Sequence, residues 1–154
     1  MKRRIFLKGT LASGAVATAV SAGLLSPRQV LAAWPKDAFE AESVQDALKG
    51  LYDSALTEPS DAVSIKAPDI AENGAVVPIS ISADLPNAES VSIIAEKNGT
   101  PLAASYQLAA SARPSISTRI KMGETSNVIA VVKADGKAYS ARKEVKVTIG
   151  GCGG

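Results

Sequence analysis

The chain has 154 residues, 46% hydrophobic and 21% charged, a composition that fits one ordinary globular domain and excludes a disordered chain. It holds no histidine and one cysteine, which excludes a histidine base, an internal disulfide and a cysteine cluster for metal. The net charge of +2 rests on Lys2, Arg3, Arg4, Lys8 and Arg28; without these five the remainder carries −3, and with 4% aromatics it gives no footing for nucleic acid.

The first segment reads as an address. Met1 to Lys8 is basic, residues 9–25 are moderately apolar, and Val30-Leu31-Ala32-Ala33 is a small-residue cleavage site. That order predicts a removable signal peptide, residues 1–32, cut after Ala32 or Ala33. Arg3-Arg4, with Phe6, Leu7 and Lys8 behind them, resembles the twin-arginine signal, which a receptor reads. The plainer alternative is a Sec signal with two chance arginines. Phe6, Lys8, the weak apolar stretch and Arg28 favour the twin-arginine reading. An uncleaved anchor is disfavoured: the run is short of the ~20 residues that span a bilayer, and Pro27 and Arg28 interrupt it. The expectation is a protein exported folded to a periplasm, free of the membrane after cleavage, with about 120 residues left.

Trp34-Pro35 is an extended lead-in. Residues 36–56 carry Phe39, Val44, Ala47, Leu48, Leu51, Ala55 and Leu56 at spacings of three and four, which predicts one helix. Ser43 with Asp46 could cap a shorter one starting near Val44, and Gly50 weakens its C-terminal end. Asp37, Glu40, Glu42, Asp46 and Lys49 read as a solvated face. Thr57-Glu58-Pro59-Ser60-Asp61 has the composition of a linker.

Beyond it the period changes to two. Strands are expected at residues 63–67, 77–83, 91–97, 102–108, 116–122, 128–134 and 137–149. Pro78 suggests an edge position or a bulge. Residues 128–134 are nearly all apolar, as in a central strand, and Asp135-Gly136 is a hairpin signal. In the last strand the alternation slips around Lys143-Glu144, where a bulge would serve. Seven short strands with regular turns predict a mainly β fold: an immunoglobulin-like antiparallel β-sandwich with an N-terminal helix, residues 33–149, the helix packing on the sandwich or an edge strand. Asn98-Gly99-Thr100 matches a glycosylation sequon but reads as a turn. Arg113, Arg119, Lys121, Lys133 and Lys137 read as a solvated sheet face, with a partner surface as the alternative.

The chain closes Gly150-Gly151-Cys152-Gly153-Gly154, residues 150–154, a sulfur set in glycines with no other side chain beside it. At 3.3–3.6 Å per extended residue, the cysteine reaches on the order of 10 Å beyond the last strand. A buried thiol, a lipid site and an intermolecular disulfide joining two copies are the competing readings; a presented carrier thiol is preferred. With a pKa near ~8.5 and no histidine, the thiol is mostly protonated at neutral pH. Lys143 and Lys146 are the nearest cations. Activation would therefore come from whatever receives the cysteine, so the chain reads as a carrier rather than an enzyme, with no metal or cofactor of its own. A β-sandwich interaction module whose cysteine makes only a disulfide, and a ubiquitin-like carrier using a terminal Gly-Gly carboxylate, are the alternatives.

An exported sandwich ending Lys146-Val147-Thr148-Ile149-Gly150-Gly151-Cys152-Gly153-Gly154 resembles the SoxY family of bacterial thiosulfate oxidation. Ala67-Pro68-Asp69-Ile70-Ala71-Glu72-Asn73-Gly74, Ile120-Lys121-Met122-Gly123 and Val131-Val132-Lys133-Ala134-Asp135-Gly136 are also similar to family sequence. The resemblance implies that Cys152 carries sulfur intermediates covalently on an arm made of Gly150, Gly151, Gly153 and Gly154. It implies a companion sandwich, SoxZ, exported with this chain. It further implies visits to the haem protein SoxAX, the manganese-dependent hydrolase SoxB and, where present, SoxCD.

Overall fold

Ser43 decides how the N-terminal segment folds. Its backbone is extended (φ −126°, ψ 152°) and its hydroxyl oxygen accepts the Asp46 N–H at 3.1 Å, so it starts a helix and cannot continue one. The single helix expected over residues 36–56 is therefore two: α1 (Lys36–Phe39) and α2 (Val44–Tyr52). Asp53, left-handed at φ 56°, ends α2, and Leu56 beyond it is 84% exposed. Gly50 is a contact point rather than a weak one: a Cβ there would lie 2.9 Å from the Ala38 Cβ, so its absence lets α1 approach. The acidic residues form the solvated face that was expected, with Lys36–Glu40 and Lys49–Asp46 pairs at 3.7 and 3.8 Å.

The computed structural model describes residues 35–148. Its strands are β1 (Glu58–Pro59), β2 (Val63–Lys66), β3 (Ile70–Ala71), β4 (Val77–Ala83), β5 (Ala88–Ala95), β6 (Leu102–Gln107), β7 (Ser115–Ile120), β8 (Ser126–Ala134) and β9 (Lys137–Val147). The larger sheet has the order β1-β9-β8-β5-β6, with β3 also on β9; the smaller is β2-β4-β7. The seven expected strands are present and pair antiparallel. The two-residue β1 falls in the expected linker and β3 in residues given no element, and both pair parallel to β9.

Alternation builds the core. Val77, Ile79 and Ile81 of β4 face Val91 and Ile93 of β5, Val128, Ala130 and Val132 of β8, and Val145 of β9, all at or below 1% exposure. Truncating one of the isoleucines to alanine would cost about 2–5 kcal/mol. The other face of the larger sheet is covered too: Ile94, Leu102, Ile129 and Val131 pack under Ala38, Ala47 and Leu48. The helices thus sit on the outer face of the larger sheet and reach its edge strand β6 at Leu102, which is why β8 is apolar on both sides. On that face the Tyr52 hydroxyl donates to Ser92 Oγ at 2.7 Å, and Ser92 Oγ lies 3.0 Å from Ser105 Oγ.

Three local signals resolve as follows. Asp135 and Gly136 both have positive φ (49° and 74°), the geometry of a two-residue hairpin turn between β8 and β9. Pro78 lies in the middle strand of the smaller sheet, yet its missing N–H costs no ladder bond. Asp84 N–H bonds Ala62 O on the β2 side and Ala83 N–H bonds Pro114 O on the β7 side. Strand alternation turns Pro78 towards the β2 side, where β2 has already ended at the Lys66–Ser80 pair. The bulge expected at Lys143-Glu144 is absent: the β8–β9 register runs unbroken from Ser126–Val145 to Ala134–Lys137. Tyr139, Ala141, Val145 and Val147 all pack against the core, so Lys143 shares the inward parity. The pattern breaks in chemistry, not in geometry. Lys143 reaches out from the inward row, donating to Ala67 O at 2.7 Å and meeting Asp69 Oδ1 at 3.1 Å.

Candidate functional site

Cys152 and its glycines Gly150, Gly151, Gly153 and Gly154 lie outside the described residues, as do Arg3, Arg4, Phe6, Leu7 and Lys8. What the structure defines is the strand end from which the cysteine follows, four residues after Thr148. That end is held from alternate sides. Lys146 N–H donates to Asp69 O at 3.0 Å and Thr148 N–H to Ala71 O at 3.1 Å, both towards β3. Between them, Val147 N–H donates to Thr125 Oγ1 at 2.9 Å on the opposite flank. Main-chain pairing with β8 stops at Ser126–Val145, so the threonine side chain continues the ladder where no strand remains.

Both flanks are themselves fastened. On one, Lys143 draws Ala67 and Asp69 against β9. Gly74 then lies so close that a Cβ would sit 2.4 Å from Met122 O and 2.8 Å from Val147 Cγ1, and Met122 N–H donates to Gly74 O at 2.7 Å. On the other, the Asn98 side chain donates to Lys121 O at 2.7 Å and accepts Gly123 N–H at 3.0 Å. Asn98 of the sequon is therefore a loop clamp. Of the three segments singled out by resemblance, residues 67–74 and 120–123 meet at this strand end, and the third forms the hairpin at the other end of β9. Sequence reasoning missed Asn98, Thr125 and Lys143 as supports. Only Lys143 left a signal, as the break in alternation.

Charge at the strand end is sparse. Lys143 is engaged, whereas Lys121 and Lys146 are exposed and make no ion pair among the described residues. At the hairpin end Lys133 pairs with Glu89 at 3.1 Å and Lys137 with Glu58 at 3.5 Å, as a solvated face would. The hydrogen bond from Lys133 holds the Glu89 carboxyl below its usual range. Burial beneath the helical layer holds the Tyr52 phenol above its ordinary 10.0, against opposing bonds to Ser92 and Ser90. Among the described residues no group of three carboxylates or thiols is placed to hold a metal, and no helix is long and apolar enough to cross a membrane.

Two sheets packed face to face, with helices on one outer face and a last strand clamped to its end, define an immunoglobulin-like β-sandwich that supports a following segment. The chain belongs to the SoxY family: the family model described as "Sulfur oxidation protein SoxY" matches residues 48–152. The sulfur carrier protein SoxY from Chlorobium limicola f thiosulfatophilum is 41% identical over 70% of this chain and 97% of its own, with a TM-score of 0.64. A superoxide reductase (neelaredoxin) from Ignicoccus hospitalis shares the fold alone, at 17% identity over 56% of this chain and 80% of its own, with a TM-score of 0.50. No curated protein matches the chain.

Proposed function

We propose that this protein is a periplasmic carrier of sulfur intermediates in thiosulfate oxidation, holding them covalently on the Cys152 thiol and presenting them to partner Sox enzymes. The observation that carries the reading is the clamp on residues 146–148, four residues before the only cysteine. A fixed root and a side-chain-free arm let one thiol enter several narrow sites in turn. Membership of the SoxY family and the carrier named in its Chlorobium relative support it. On this reading SoxAX joins thiosulfate to the thiol with loss of two electrons, giving a cysteine S-thiosulfonate. SoxB then hydrolyses the terminal sulfone to sulfate, and SoxCD, where present, oxidises the sulfane sulfur left behind. SoxZ is the standing partner, and residues 1–32 direct export by the twin-arginine route. The chain itself acts as substrate carrier and not as catalyst. Cys152→Ser should abolish thiosulfate-dependent oxidation while folding and SoxZ pairing persist, and the native peptide should carry thiosulfonate or sulfane adducts by mass. Full activity in the variant, or reducible dimers with no adducts, would overturn the proposal.

A further inference from the structure

We propose that the connection from β3 to β4 is an apolar collar on which the enzymes acting on the Cys152 adduct dock. The inference rests on the carrier reading and adds where, and by what chemistry, those enzymes grip. Three large apolar side chains stand out as exposed among the described residues: Leu56 at 84%, Ile70 at 58% and Val76 at 50%. Leu56 follows α2 and lines a depression with Gly136 and Lys137, at the hairpin end of β9. Ile70 and Val76 belong to the other end. They bracket the segment that crosses from the larger sheet to the smaller one beside the last residues of β9.

That segment is held as firmly as a strand. Ala71 is buried at 6%, and its carbonyl accepts the Thr148 N–H. Gly74 packs on Met122 and Val147, and Asn73 Oδ1 accepts the Ala75 N–H at 2.9 Å. Ile70 is the register partner of Lys146, so an apolar side chain and a cation with no ion pair among the described residues stand together at the root. Exposed apolar side chains on a rigid support lose little conformational freedom when covered, which is what a docking anchor needs.

The reach of the arm says what covers them. Four residues separate Thr148 from Cys152, a span of at most ~14 Å when extended. The Cys152 backbone stays within that distance of Thr148 and its side chain and adduct add little to it, so the rim around the reacting centre has to settle on the loops beside Thr148. Glycines offer that rim no side chains to read. The occupant is therefore an enzyme whose channel is no deeper than this main-chain span plus the cysteine side chain and its adduct, and whose mouth carries apolar side chains with a carboxylate for Lys146.

The test uses the Ile70→Ser/Val76→Ser double variant paired with SoxZ. Tetrathionate loads the thiol: the thiolate displaces thiosulfate from it and keeps the S-thiosulfonate. Sulfate release by the manganese-dependent hydrolase is then measured. The expected result is a fall of about tenfold in kcat/KM, carried by KM, with kcat, tetrathionate loading and SoxZ retention unchanged. An unchanged kcat/KM overturns the collar. So does loss of SoxZ from the variant, which would assign these side chains to the standing pair. Failure of the carrier reading shows separately and earlier, as wild-type protein that takes no adduct on Cys152 or releases no sulfate, and the collar falls with it.

Discussion

The Thr125 hydroxyl meets both backbone groups of Val147, accepting its N–H at 2.9 Å and donating to its carbonyl at 3.4 Å. A side chain here stands in for the strand that β8 no longer supplies. Thr125→Val keeps the shape and removes both bonds. The expected cost is about 1 kcal/mol, since the site is half-buried and water can partly replace the hydroxyl. Hydrogen exchange at the Val147 amide should quicken about tenfold, more than the roughly fivefold that a loss of about 1 kcal/mol gives an amide opened only by global unfolding, such as Val131 deep in β8. An unchanged Val147 rate would show that the hydroxyl does not hold the strand end.

Lys143 bonds two partners of different worth. Asp69 is 90% exposed, so solvent screens that pair, and Asp69→Asn should cost under about 0.5 kcal/mol. Ala67 O is a fixed acceptor at 2.7 Å in a half-buried position, and Lys143→Met should cost about 1–2 kcal/mol. Urea unfolding of the two variants decides the ranking. Equal losses would mean that the ion pair, not the carbonyl, pins the β3 connection.

Gly74 and Gly99 predict opposite responses to the same change. A Cβ on Gly74 meets Met122 O at 2.4 Å, and backbone on both sides must move; Gly74→Ala should destabilise by about 1–3 kcal/mol. Nothing lies within 4 Å of the corresponding position at Gly99, so Gly99→Ala should stay within about 0.5 kcal/mol. Thermal unfolding midpoints that shift alike would contradict the close packing at the strand end.

Tyr52 gives stability an alkaline limit. Its phenol is held above 10.0 by burial, so near that pH the unfolded chain loses its proton first. The folded state then binds more protons than the unfolded one, and stability falls as pH rises from 10 through the folded value. Below pH 10 the contribution is complete. The ultraviolet titrations of the wild type and of Tyr52→Phe should differ by one tyrosinate, with the difference centred above pH 10. That variant also loses the bond to Ser92, at a cost of about 1 kcal/mol at neutral pH. A difference centred at or below pH 10 would remove the assignment.

Patterns that repeat were readable from residue order. Alternation at Val77, Ile79 and Ile81 placed β4, and the apolar run of β8 marked a central strand. Asp135-Gly136 marked a hairpin because few dipeptides tolerate two positive φ values. Ser43 and Asp46 carried the true helix start, although the longer amphipathic pattern around them pointed to one continuous helix. Local signals of this kind follow from the chain's own geometry, and no distant residue is needed to read them.

Contacts between distant residues were a different matter. β1 and β3 have two residues each, too few to show a period, and become strands only because β9 offers them an edge. Lys143 looked like a fault in alternation because its answer lies 76 residues away at Ala67. Thr125 and Asn98 have the composition of ordinary turns, and only the packed sandwich sets their side chains against Val147, Lys121 and Gly123. The sequence by itself determined the strand pattern, the lone Cys152 and the glycines around it, because those are properties of composition and period. The tertiary structure alone decided how the root of that segment is gripped, because the grip is made of hydrogen bonds and close approaches that exist only once both sheets have closed.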